Sequence, residues 1–515
     1  MDQSFCDILD LFSNAQIYID LLFDPEKKFA YTTFLQLSCD IKMIHRSGYL
    51  KLLFLTIFGL FIWNFIPTPI GLSTKGWHLL IIFCLTIFAI ILEPMPISVI
   101  ALFSSLLCIL TKIMTLEESF HGFGSPVLWI IIFAFFIARG IVKTGLGKRV
   151  AYFFISQIGR TTIGLSYGLV ITECLLALVI PSVSARSGGI MYPIVQSIIK
   201  EYENNYSKKI ARINGMFLLQ VCFQGSTITC AMFLTAMSGN PLIVSIAGKL
   251  GVEITWSIWA IAAIVPGILN LILLPILLYK ICGPAIKVSN EAPALAKKAL
   301  FEMGNLTRNE LIMLTTFIGL ILLWIFGKSI DIDSTSTAFI GVMILLFSGV
   351  LTWDDILSER NAWDIMIWFS LLLTLSAYLN HLGVMSWVGG GLEKASSQIH
   401  YSKSIIFCGI ILIYFFIHYF FASVTAHITV FYAIFVGLLV QLCEIKLLPA
   451  SLILAYVSSL SGGLTHYSNS TAPIFFGAKC FSIKEWWRVG FIVGIFNLFI
   501  WGISGYCWWK YLEFI

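Results

Sequence analysis

Pro181-Ser182-Val183-Ser184-Ala185-Arg186-Ser187-Gly188-Gly189 lies inside a long apolar segment, where a membrane helix would be expected to continue. Ile163–Ile180 precedes it, almost wholly apolar, and Ile190–Ile199 follows, ending in the charged run Lys200–Glu203. Pro181 lacks an N–H, and Gly188 and Gly189 weaken a helix. Ser182, Ser184 and Ser187 carry hydroxyls that can satisfy freed backbone groups. About 18 apolar residues, a polar break and about ten more are too short for two full spans at ~1.5 Å per residue. They fit a hairpin, 162–199, that enters the membrane, turns near its middle and leaves on the same side.

A second stretch repeats the first. Ala422–His427 reads A-S-V-T-A-H between Ile405–Phe421 and Ile428–Leu442, which predicts a second hairpin over 404–442. Ser182-Val183-Ser184-Ala185 and Ser423-Val424-Thr425-Ala426 match at an offset of 241 residues. Trp129 and Trp368 each open an apolar run, 239 residues apart, and Gly145-Leu146-Gly147 and His381-Leu382-Gly383 close those runs, 236 apart. Three matches in order at nearly one offset predict an internal repeat. Paired broken segments in corresponding halves point to a transporter's binding site.

The chain of 515 residues is 58% hydrophobic and 11% charged, with mean hydropathy +0.92. The fold class is therefore all-α and polytopic, since the long runs lack the short alternation of a barrel. Net charge +5 comes from loop lysines and arginines, not from a nucleic-acid surface. No Gly-rich phosphate loop occurs, which argues against ATP hydrolysis. The twelve cysteines include no C-x-x-C pair, and no H-E-x-x-H occurs, so no metal centre or cofactor is expected. His418, His427 and His466 lie in apolar surroundings, where a hydrogen-bonding role is expected. An intramembrane hydrolase would need a serine–histidine pair facing water, and no G-x-S-x-G occurs.

Eleven spans are expected besides the hairpins: Leu52–Ile66, Trp77–Leu92, Ile97–Leu110, Val127–Val142, Gly215–Ala247, Trp256–Cys282, Leu311–Phe326, Thr335–Leu351, Trp363–Leu382, Ala450–Ala478 and Val489–Gly505. The fifth is interrupted around Ser238-Gly239-Asn240-Pro241 and the tenth around His466–Thr471. Leu146–Ile158 and Val384–Ile399 read as interfacial. The organisation is a tail over 1–51, a first half over 52–282, a linker over 283–310 and a second half over 311–515. Residues 1–42 read as a cytoplasmic tail or as upstream sequence. With the N-terminus inside, 22 of the 32 basic residues fall on the cytoplasmic side and 8 outside. That bias follows the positive-inside rule and places the C-terminus outside, in a bacterial-type inner membrane. Setting the first span aside leaves two sets of five, an odd number, so the two repeats are inverted.

At each tip the second half-helix offers free N–H groups and a positive dipole end, which suits an anion. Carbonyls ending the first half-helix suit a cation. Two tips meeting from opposite sides suit a molecule with two carboxylates. Arg186, at membrane depth, has three candidate partners: a bidentate substrate carboxylate, Glu173 in the same hairpin, or the cytoplasmic interface.

Five stretches carry a family resemblance: Phe136-Ile-Ala-Arg-Gly with Lys143-Thr-Gly-Leu-Gly; Pro181–Gly189; Ala231-Met-Phe-Leu-Thr-Ala-Met with Asn240-Pro241; His418-Tyr-Phe-Phe-Ala-Ser with Thr425-Ala-His; and Gly462-Gly-Leu-Thr-His-Tyr with Ala472-Pro-Ile-Phe-Phe-Gly-Ala. From Leu52 onward the chain resembles the divalent anion:sodium symporter family, in its branch of plastid and bacterial 2-oxoglutarate/malate translocators and citrate/succinate exchangers. The resemblance implies a homodimer in the lipid bilayer, with an elevator-like mobile part carrying a C4–C5 dicarboxylate. It implies substrate contacts from Ser182, Val183, Ser184 and Arg186 at one tip and from Ser423, Val424 and Thr425 at the other. Asn240, His466, Asn469, Ser470 and Thr471 are added from the interrupted helices. The family's Ser-Asn-Thr motif falls on Ser182-Val183-Ser184 and Ser423-Val424-Thr425, where both middle asparagines are valine. That departure favours exchange over the alternative, sodium-coupled symport of a dicarboxylate or citrate.

Overall fold

The computed structural model describes residues 51, 53–92, 94–384, 387 and 402–515. The tail before Lys51, the acid of the Glu93–Pro96 turn and most of the expected interfacial stretch Val384–Ile399 lie outside the described residues. Among the described residues, nine helices are long and apolar enough to cross a membrane, joined by shorter apolar helices such as Leu53–Phe65 and Ile97–Leu110. The chain is thus an all-α polytopic membrane protein.

Helix starts follow local capping chemistry. Thr115 with Glu118, Thr307 with Glu310, Thr352 with Asp355 and Ser482 with Glu485 each form a reciprocal capping box. The boxes place two helix starts earlier than hydropathy alone does, at Arg308 and Ile483 rather than Leu311 and Val489. They also make two short helices, Leu116–Phe120 and Trp353–Ser358, at equivalent places in the two halves. The eighth span stops at Phe347 rather than Leu351, because Gly349 turns the chain at φ 76° and the Leu351 N–H returns to the Leu345 carbonyl.

The linker is not irregular. Glu291–Met303 is a helix that packs against Leu146–Ile158. Arg149 fastens the two, donating to Glu310 at 2.6 and 3.1 Å and to the Gly304 carbonyl at 2.8 Å. An amphipathic helix finds here a protein partner for part of its surface.

The halves repeat and are inverted. Trp256–Cys282 and Ile483–Tyr511 close the two halves and run antiparallel. Asn270 donates to Asn497 near their middles (3.0 Å), while Trp508 and Trp509 of the second reach the carbonyls of Ile261 and Ala262 near the start of the first. Each half has a hairpin, Thr162–Asn205 or Lys403–Cys443, whose arms pack along a broken helix of the same half. The broken helices are Lys208–Met232 with Gly239–Lys249, and Leu447–Ser461 with Ala472–Phe476. The first hairpin's arms, 16 and 14 residues, are ~24 and ~21 Å long, short of the ~30 Å hydrocarbon core. Helices 97–110, 126–144, 334–347 and 360–381 pack on one another and on helices 74–92 and 308–326, and helix 126–144 borders the first broken helix and the first tip.

Candidate substrate site at the two hairpin tips

The tips and breaks are crossed. Ser184 at the first tip donates to Ser470 Oγ in the second break at 2.8 Å. The second tip reaches the first break: a Cβ on Gly239 would lie 2.9 Å from Ile428 and 3.8 Å from the Thr425 hydroxyl. Gln224 donates to the Gly463 carbonyl at 2.9 Å, and Ser459 to Asn240 Oδ1 at 3.3 Å. Each half therefore supplies one wall of the other half's tip.

Both tips are built alike. Ser182 Oγ accepts from Ala185 N (3.2 Å), and Ser423 Oγ accepts from Ala426 N (3.4 Å). Each serine thus caps the half-helix that follows. By position, the N–H groups of Val183, Ser184, Val424 and Thr425 have no acceptor within their own helix. Ser184, Ser423 and Thr425 are half-buried and Ser470 is exposed, so these oxygens lie where a polar molecule can reach them. Val183 is half-buried, whereas Val424 is buried against Gly462. After the first tip the helix opens into a wide i→i+5 turn over Ser184–Met191 before Tyr192. Gly188 lets Ile474 of the second half pack close, since a Cβ there would meet the Ile474 side chain at 2.8 Å.

Four expected contact residues are engaged within the protein instead, two of them with backbone. Asn240 is fully buried and donates to the carbonyls of Cys230 (2.7 Å) and Phe233 (3.0 Å), closing the first break. Asn469 does the same in the second, donating to Gly462 (2.8 Å) and accepting from Thr471 N and Oγ1 and Ala472 N. Thr471 is buried in that turn. His466 accepts from Trp487 Nε1 at 3.1 Å and packs among Tyr467, Phe476 and Trp487.

Arg186 needs a larger correction. Its side chain is 0% exposed and its fork is already occupied. Nε bonds Glu173 Oε1 at 2.6 Å, and Nη1 bonds the carbonyls of Ile180 (2.5 Å) and Ala236 (3.1 Å). A guanidinium so desolvated is held by its ion pair and cannot also grip a carboxylate. Glu173, not the substrate, is its partner here. The same arrangement bears on sodium. The carbonyls that end the first arm and line the first break already receive a cationic donor, and Val183 and Val424 present no side-chain oxygen. The first tip does not fit an inorganic cation.

Gln224 and Thr235 were not singled out from sequence. Thr235 donates to the Leu178 carbonyl at 2.7 Å, joining the first break to the first tip. Their signal was only a polar residue in an apolar helix, shared by many that pack without function. Beside the first tip, Pro181, Thr235, Met237 and Pro241 face Ile130, Ile131 and Ala134 across a cavity of about 10 Å³, the size of one water.

The sodium:sulfate symporter transmembrane region matches residues 46–515. The chain belongs to that family. This is the divalent anion:sodium symporter family that the tip sequences resemble. YflS of Bacillus subtilis strain 168, provisionally named a malate transporter, is 45% identical over 88% of this chain and 94% of its own. Dicarboxylate transporter 1 of Spinacia oleracea chloroplasts is 43% identical over 88% and 79%. The L-tartrate/succinate antiporter of Escherichia coli O6:K15:H31 is 31% identical over 86% and 94%. Among solved structures, the Alcanivorax borkumensis YdaH transporter is similar in fold, with TM-score 0.55 and 11% identity over 78% of this chain and 89% of that one.

Proposed function

We propose that the protein exchanges C4–C5 dicarboxylates, 2-oxoglutarate against malate, across the membrane it spans. The observation that carries this reading is the crossed pair of tips. Two capped half-helix starts, from inverted halves, stand against each other's helix breaks with Ser184, Ser423, Thr425 and Ser470 accessible. Two positive dipole ends match two carboxylates. The names of the relatives point the same way. Ser184, Ser423, Thr425 and Ser470 are the substrate-facing set, with Ser182, Val183 and Val424 building the tips behind them and Asn240, Asn469 and Thr471 shaping the breaks.

An elevator-like movement of the hairpin-bearing group against helices 97–110, 126–144, 334–347 and 360–381 would carry the site. The protein works as a homodimer in a bacterial-type inner membrane, N-terminus inside and C-terminus outside. With Glu173 neutralising Arg186, the unloaded site retains the two dipole ends, and a dianion offsets them. Crossing is then favourable when loaded, which is obligatory exchange.

The test is uptake of labelled 2-oxoglutarate into proteoliposomes holding malate, holding buffer, or facing a sodium gradient. Uptake is expected only with internal malate, unchanged when sodium is replaced by choline. Strong accumulation into empty vesicles under a sodium gradient would instead establish sodium-coupled symport.

A further inference from the structure

A re-entrant arm stops halfway across a membrane, and the helix beside it does not. The first arm of the second hairpin runs antiparallel to helix Ile483–Tyr511. Phe415 lies against Gly494, Phe416 stacks on Phe491 at 5.7 Å, and Tyr419 in the turn that follows meets Trp487 at 5.5 Å. There the arm ends. At ~1.5 Å per residue, about 12 Å of the helix lies beyond the Phe416–Phe491 contact without an arm alongside. The space left is a groove of about 650 Å³ between Tyr419 and one face of helix 483–492.

That face is graded along the helix. Lys484 and Arg488, one turn apart, line the groove, and both are exposed. Neither has an ion-pair partner among the described residues, since the neighbouring Glu485 is held by Arg212 at 2.7 Å and by its capping box with Ser482. Deeper on the same face come Phe491 and Ile492, then Ile495, Phe499 and Ile503, all three exposed. The helix of 29 residues is ~43 Å long and exceeds the ~30 Å hydrocarbon core, so its first turns stand at headgroup depth. The exposed apolar stripe means that the groove opens sideways to hydrocarbon and not into a watery vestibule. Cations first, aromatic rings at the boundary and an apolar slot below is the order of groups that a phospholipid presents in complement. Basic pockets between membrane helices recognise anionic headgroups in this way.

We propose that the groove is a site for one anionic phospholipid, with its phosphate on Lys484 and Arg488 and an acyl chain against Trp487, Phe491 and Ile492. The residues that line it also hold the second break. Trp487 Nε1 donates to His466 Nδ1 at 3.1 Å, and the Tyr467 hydroxyl donates to the Tyr419 carbonyl at 2.8 Å. Ser470, which accepts from Ser184 of the first tip, follows in the same break. A seated lipid therefore backs one wall of the substrate site, and exchange depends on its presence. In the orientation proposed above, the groove faces the cytoplasmic leaflet. The effect on transport rests on the exchange reading; the binding of the lipid does not.

The test titrates the melting temperature of the purified protein in detergent with short-chain phosphatidylglycerol, with the matching phosphatidylcholine and with inorganic phosphate. A saturable rise is expected with phosphatidylglycerol alone. Lys484→Gln combined with Arg488→Gln should need roughly thirtyfold more of it, the worth of two cations near a membrane surface. Lys297→Gln combined with Lys298→Gln removes the same charge from the exposed face of the linker helix and should respond as the wild type does. In phosphatidylcholine proteoliposomes, added phosphatidylglycerol should speed malate/2-oxoglutarate exchange by the wild type and the linker variant, but not by the Lys484→Gln, Arg488→Gln protein. Equal rises with both lipids, a rise with inorganic phosphate, or an unshifted midpoint in the Lys484→Gln, Arg488→Gln protein overturns the site. Selective binding with exchange indifferent to lipid overturns its hold on the second break. Selective binding with no exchange in any lipid leaves the site standing and fails the exchange reading alone.

Discussion

Gly490→Ala should disable exchange, while Gly502→Ala on the same helix should not. Gly490 faces the second break, where an added Cβ would lie 2.3 Å from the Leu464 carbonyl oxygen and 2.8 Å from that of Gly463. Close C···O contacts settle at ~3.3–3.6 Å, so the break must retreat by ~1 Å. The atoms in the way are backbone, and no rotamer change relieves them. Overpacking of this kind costs ~1–3 kcal/mol. The retreat also pulls Gly463 O from Gln224, whose amide then loses a 2.9 Å bond in a fully buried setting. An unsatisfied buried donor adds ~1–3 kcal/mol. Each 1.4 kcal/mol borne by the binding-competent arrangement is about tenfold. A fall of at least about tenfold in malate/2-oxoglutarate exchange is therefore expected, with a lower melting temperature in detergent. Gly502 has nothing within 4 Å of its added Cβ and serves as the control. Gly490→Ala matching the wild type in both rate and melting would refute the view that the second break is a fixed wall of the site.

Ser182→Ala and Ser423→Ala each remove a cap worth ~0.5–2 kcal/mol and a hydroxyl at a tip, so exchange should fall while expression stays near normal. Wild-type uptake in both variants would take the tips out of the site. Asp355 tests the contact between the short helix Trp353–Ser358 of the second half and the end of helix 126–144 of the first. Burial opposes its charge, but the Lys143 ammonium at 2.5 Å and the Thr352 N–H and hydroxyl more than offset that, holding its carboxyl down at about 2. A carboxyl depressed in the folded state stabilises above its unfolded pKa of ~3.9 and loses that contribution as pH falls toward the folded value. Asp355→Asn should thus lower the melting temperature at neutral pH, with a gap that narrows between pH ~4 and ~2. A gap constant across that range would mean the effect is packing alone.

Much of the architecture was legible because hydropathy and helix breakers act locally. Pro181, the Ser182-Val183-Ser184-Ala185 and Ser423-Val424-Thr425-Ala426 pair, and the basic loops were enough to read two inverted halves, each with a hairpin. The capping boxes at Thr115, Thr307, Thr352 and Ser482 were equally local and refine the helix starts that hydropathy alone misplaced. The linker helix Glu291–Met303 escaped because its apolar face is short and finds its partner in Leu146–Ile158, far away in sequence.

What the tertiary structure alone decided is who partners whom. From sequence, a substrate carboxylate was the partner that best fits the Arg186 fork, with Glu173 and the interface as the alternatives. Only the folded chain brings Glu173, Ile180 O and Ala236 O around one guanidinium. Asn240 and Asn469 were read as substrate contacts because they lie in the two helix interruptions; in the fold their amides donate to carbonyls of their own broken helices. The crossing of each tip onto the other half's break, through Ser184 with Ser470, joins residues 286 apart. Composition and periodicity determine where a helix forms and where it must stop. The freed N–H and C=O groups at each stop then demand partners, and in a membrane those come from whatever the packing of the other half delivers.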